Sequence, residues 1–179
     1  GLGLLAITMP IEPGANSSFN VAPMVAFEAG LLAIGAMLIV GPKAGAPAKH
    51  HGMMMAAAAG VLFGVCNVAV KALTGVIGID GIGGLLSPWL VVAAFASFAA
   101  FYAAARSLQD GGAVEVIAIT GTAANISCIA GGILVFGDPM PGTALGIVIQ
   151  AFAFVMVIIA AALTPGPRMA VSPARLTTT

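Results

Sequence analysis

Five stretches of the chain are almost free of charge over the length of a membrane-crossing helix: residues 23–40, 53–77, 87–107, 113–136 and 143–163. At 1.5 Å per residue, about 20 mostly apolar residues cross the hydrocarbon layer as a helix. The first stretch is the shortest and carries Glu28. Between the stretches lie breaks at 41–52, 78–86, 108–112 and 137–142, each polar or rich in Gly and Pro. Helices do not run easily through such punctuation. None of the breaks is long enough for a soluble domain. The pattern predicts an all-α, polytopic transmembrane bundle, with a five-helix repeat over residues 23–164. Residues 1–9 read as the outer end of a truncated helix, since the chain opens Gly1-Leu2-Gly3 without a Met or a basic n-region. Residues 10–22 form an external loop, and the Thr-rich residues 165–179 read as a disordered tail.

Composition agrees with this pattern. Of 179 residues, 60% are hydrophobic and 7% charged, with mean hydropathy +1.14. Soluble domains carry about 25% charged residues, so six cations and six anions are too few for a water-facing surface but enough for loops. The zero net charge points away from nucleic acid. Cys66 and Cys128 fall inside apolar runs and read as packed thiols. His50 and His51 have no Cys, Asp or Glu beside them, so no metal site is expected. There is no GxSxG, HExxH or P-loop, which argues against an enzyme and against a bound cofactor.

Charge also orients the spans. Lys43, Lys49, Arg106, Arg168 and Arg175 fall on one side if the helices alternate, and the opposite loops carry no Lys or Arg. By the positive-inside rule that side is cytoplasmic, which puts the C-terminus inside a plasma or inner membrane. Trp89, at the outer end of its span, suits an interfacial anchor.

Lipid gives helices no hydrophobic reason to associate, so small residues must carry their packing. Gly60-Val-Leu-Phe-Gly64 and Gly142-Thr-Ala-Leu-Gly146 are both GxxxG spacings, and Ala56–Ala59 and Gly131-Gly132 add smooth faces. Ionisable groups at membrane depth are costly and therefore functional candidates. Counting from the helix ends puts Glu28, Lys71 and Gln150 about 7–11 Å below the outer edge, so a Glu28–Lys71 ion pair with Gln150 nearby is expected. Asn67 shares a face with Lys71 at i, i+4 spacing. Asn67 and Asn125 fall near the midplane, where carriers place substrate sites, and Thr120 adds a hydroxyl. Against this stand plainer roles: Lys71 snorkelling outward, the two Asn as interhelical glue, and Ser/Thr hydroxyls bonded back to their own helix. Arg106 and Glu115 read as a structural ion pair across a short turn. Asp80, Asp110 and Asp138 read as solvated or capping loop residues.

The run Gly60-Val-Leu-Phe-Gly-Val-Cys-Asn-Val-Ala-Val-Lys71-Ala-Leu resembles the Gly…aromatic-Gly…Lys-x-Leu helix of the drug/metabolite transporter superfamily. Phe101-Tyr-Ala-Ala-Ala-Arg-Ser-Leu108 is similar to its aromatic-x-x-Ala-Leu helix end. Ala113–Thr120 through Gly131-Gly-Ile-Leu-Val-Phe-Gly-Asp138-Pro is similar to its next helix, which closes on a Phe-Gly-Glu turn; here the acid is Asp138. The order of spans from residue 1 to about 164 resembles the second half of EamA-type carriers and NIPA-type magnesium transporters. The resemblance implies ten helices in two inverted five-helix repeats, with both termini cytoplasmic.

The function expected is a carrier moving a small solute, metabolite or cation, by alternating access. Asn67, Asn125 and Thr120 would line its cavity, with Glu28 and Lys71 as a gate or coupling pair. A magnesium carrier is the sharper alternative, although hard cations want several oxygen ligands and the spans supply only Glu28 and Glu115. The other alternative is a non-transporting scaffold or subunit, packed in the bilayer against a second copy or a membrane-complex partner.

Overall fold

The computed structural model describes residues 17–41, 43–138 and 143–163, and the described residues are helical almost throughout, with no strand among them. The helices are α1 (Val21–Val40), α2 (His51–Asp80), α3 (Pro88–Asp110), α4 (Ala113–Leu134) and α5 (Ala144–Leu163). Short 3-10 turns at Ala48–His50 and Gly81–Leu86 flank α2. The regions containing α1, α2, α3 and α4 are each long and apolar enough to cross a membrane. The end of a truncated helix expected at 1–9 and the tail expected at 165–179 lie outside the described residues.

The helices run further than their sequence boundaries suggested at four places, α2 among them by starting at His51. α1 starts at Val21, inside the expected loop. α2 continues through Gly78 to Asp80, and α3 continues to Asp110. Only Gly111 and Gly112 then separate α3 from α4. Pro88 at the first turn of α3 fits because that position has no hydrogen bond to lose. At the end of α4, Gly137 takes φ +61°. This left-handed position favours glycine, and it turns the chain back so that the Asp138 amide donates to the Gly132 carbonyl at 2.9 Å.

α2 is the central helix, with α1, α3 and α4 packed around it. Its buried positions are mostly small: Gly52, Ala56, Ala58, Ala59, Gly60, Gly64, Ala69 and Ala72. α2 and α4 run parallel, and their contacts climb both helices in step. A side chain on Gly60 would collide with the Thr120 carbonyl and Ala123, and one on Gly64 would collide with Ser127. Higher up the bias reverses: Gly131 of α4 makes room for Val68 of α2. The GxxxG face at Gly60 and Gly64 is therefore used within the chain. Two apolar clusters close the ends. Met55, Ala58, Ala59 and Ala103 lie toward Lys43. Met24, Val68, Ala72, Val135 and Phe136 lie toward Asp138, with Phe19 and Trp89 packed on them. Trp89 is half-buried, its ring edge-on to Phe19 at 5.4 Å. By contrast Phe95, Phe98, Phe101 and Tyr102 of α3 are exposed, as a lipid-facing wall requires.

Candidate functional site

Polar contacts between helices concentrate on the α2–α4 seam, at three heights. Lowest, the Thr120 hydroxyl donates to the Ala56 carbonyl at 3.1 Å. It bonds across helices, not back to its own turn as expected of a membrane hydroxyl. Thr74 and Ser107 follow that local rule, bonding the carbonyls of Lys71 and Ala104. In the middle, the Asn67 amide donates to Cys128 Sγ at 3.4 Å. Highest, Lys71 Nζ bonds both carboxylate oxygens of Asp138, at 2.7 and 2.6 Å, and sits 4.4 Å from the centre of the Phe136 ring.

That last contact replaces the expected Glu28–Lys71 pair. Depth counting placed the two at one level, but depth says nothing about which way round a helix a side chain points. Lys71 continues the stripe of Gly64 and Val68 toward α4, whereas α1 lies on another flank of α2, with Gly35 against Leu62. Asp138 is no solvated loop acid. The glycine-capped end of α4 returns it over Gly132, where a side chain would meet the carboxylate at 2.6 Å. The sequence signal that could have found it is the spacing of Gly132 and Gly137 around a capping turn.

Glu28 is 3% exposed, and its Oε1 has no hydrogen-bond partner among the described residues. A buried carboxyl oxygen left without a partner costs about 1–3 kcal/mol or more, which makes Glu28 a candidate functional position.

Asn67 and Asn125 are both exposed, near the middle of α2 and α4. Asn125 precedes Cys128, the partner of Asn67, by one helical turn. Gln150 is half-buried on α5. Arg106 does not pair with Glu115. Because α3 extends to Asp110, Arg106 Nε bonds that residue at 3.2 Å in an i, i+4 pair, and its Nη1 donates to Gln109. Such exposed helix pairs contribute only about 0.3–0.5 kcal/mol. His51 begins α2, its Nε2 2.7 Å from the Ala46 carbonyl. Among the described residues no group of three His, Cys, Asp or Glu could hold a metal ion.

The arrangement offers two exposed amides, one on α2 and one on α4, an ion pair at one end and a buried Glu28 oxygen without a partner among the described residues. In comparisons with family models, with curated proteins and with solved structures, none matches this chain.

Proposed function

We propose that this chain is the five-span unit of a membrane carrier for a small polar solute, which passes along the open side of the α2–α4 seam. One observation carries the proposal: Asn67 and Asn125 are exposed near mid-helix, on the central helix and its parallel neighbour. An amide facing hydrocarbon lacks hydrogen-bond partners, so polar groups at this depth belong against a wet cavity or another protein wall. A cavity between two such units is the arrangement that the resemblance to the drug/metabolite transporter superfamily would supply. On this reading the Lys71–Asp138 pair closes the seam at the outer end. Thr120 holds the two helices together below the solute, and Glu28 answers changes in the cavity from inside. A scaffold partner would have to use a face other than Gly60 and Gly64, which are spent on α4.

The test is uptake by the full-length protein reconstituted in liposomes, loaded in turn with metabolite mixtures and divalent cations. The double variant Asn67→Leu/Asn125→Leu is expected to lose uptake while keeping its expression and melting temperature. Undiminished uptake would remove the two amides from the pathway. Glu28→Met is expected to raise stability by about 1–3 kcal/mol, because it removes an unpartnered buried oxygen, and to abolish uptake at the same time. A variant that is destabilised and still active would show that Glu28 serves the fold alone.

A further inference from the structure

At the end opposite Asp138, a groove of about 450 Å³ opens between the start of α2, the end of α1 and the first turns of α4. Its walls are Leu38, Pro47, Met53, Met54, Ala57 and Ile119, and they are apolar almost throughout. Ile119 lies six residues into α4, so the groove reaches about 9 Å along the helices. Its rim is different. His50 lines the mouth, and the exposed Lys43 and Lys49 belong to the same loop, within three residues of the lining residues Ala46 and His50.

This rim is a built loop. Gly45, at φ +99°, lets the chain turn after α1. The Lys43 and Ala44 amides donate to the Val40 carbonyl and the Ala46 amide to that of Gly41. The His51 ring fastens Ala46 to the start of α2. Residues 41–52 contain no acid. Of the acids at this end, Asp110 pairs with Arg106, and Glu115 lies near Gly112, one turn before Ile119 on α4, so two lysines face a single unpaired acid. Two exposed lysines in the loop beside an apolar slot, at the end of helices fit to cross a bilayer, suit an anionic amphiphile.

We infer that this groove binds an anionic phospholipid, its acyl chain along Leu38, Met54 and Ile119 and its phosphate at Lys43 and Lys49. The fit is one of charge and polarity together. Each cation near a membrane surface favours anionic over zwitterionic lipid, and the apolar walls give the chain a place that a free phosphate would leave empty. The inference does not depend on what, if anything, the protein transports.

Native mass spectrometry of the full chain, released from micelles containing phosphatidylglycerol, phosphatidylcholine or glycerol phosphate, tests it. One phosphatidylglycerol is expected to stay bound, about tenfold more tightly than phosphatidylcholine. Lys43→Gln/Lys49→Gln is expected to lower that preference to parity, and Lys43→Arg/Lys49→Arg to keep it. Ala57→Phe, which fills the slot, is expected to weaken both lipids alike. Both lysines are exposed, so the Gln and Arg variants decide the matter even if Ala57→Phe fails to fold. Equal retention of the two lipids, or a preference untouched by the Gln variant, would overturn the inference. So would glycerol phosphate binding as well as the lipid, which would mean a simple anion site. A lipid-free dimer would overturn it too, by showing that a second copy covers the groove.

Discussion

Replacing Gly60 by leucine is expected to destabilise the protein by about 3 kcal/mol, the upper part of the usual range for forcing atoms into a closed interface. The atoms in the way are the Thr120 carbonyl and the Ala123 side chain of α4. A backbone carbonyl on a packed helix cannot swing aside as a side-chain tip can. α2 and α4 would have to separate, which also pulls Thr120 away from Ala56. Gly64→Leu should act the same way through Ser127. Gly30 and Gly121 are the controls, because a side chain there meets nothing within 4 Å. Changing either to alanine should be neutral or add up to about 0.5–1 kcal/mol, since glycine weakens a helix interior. Unfolding in mixed micelles, followed by helical circular dichroism, measures all four. Wild-type melting for Gly60→Leu would mean that α2 and α4 do not touch as described.

Removing Asp138 alone should cost more than removing it together with its partner. Asp138→Leu leaves the Lys71 ammonium between Phe136 and apolar helix ends, with no anion to answer it. Fully buried pairs lose about 3–5 kcal/mol when one member is deleted. Here about a third of each side chain is exposed, 32% and 38%, so about 1–2 kcal/mol is expected. The double variant Lys71→Met/Asp138→Leu should recover most of that loss, because methionine packs well on an aromatic ring. A double-mutant cycle on the same unfolding assay reads the coupling directly. Additive effects would reduce the pair to a surface contact.

These two predictions rest on features of unequal legibility in the sequence. The apolar stretches gave α1 to α5 to within about three residues at most ends, because the lack of charge over a helix length is a strong constraint. The ends that ran long did so for local reasons. Gly78 does not stop a helix whose neighbours are Val, Ile and Ile, and Leu108 to Asp110 continue α3 with an i, i+4 partner for Arg106 in place. Gly60 and Gly64 were visible as a smooth face, but which helix they would meet was not. Lys71 shows the limit most plainly. Rise per residue gives depth, and depth set it level with Glu28. Direction around the helix depends on how α1, α3 and α4 divide the circumference of α2, and that is settled by contacts distant in sequence. Asp138 needed two further facts, a left-handed glycine to turn it back and a glycine beneath to receive it. Both glycines were in plain view, and only their geometry was missing.

The length of α2 has a mechanical consequence. Its 30 residues measure about 45 Å, whereas α1 and α4, with 20 and 22 residues, measure about 30–33 Å. A hydrocarbon layer is about 30 Å thick. The shorter helices can stand upright in it, and the central one must lean or push its ends among the headgroups. The side-chain-free contacts at Gly60, Gly64 and Gly131 tie α4 to α2, so a lean of one is shared by the other. In a membrane a thinner bilayer would lay the pair over and a thicker one would raise it, which makes lipid chain length a lever on the tilt of the α2–α4 pair.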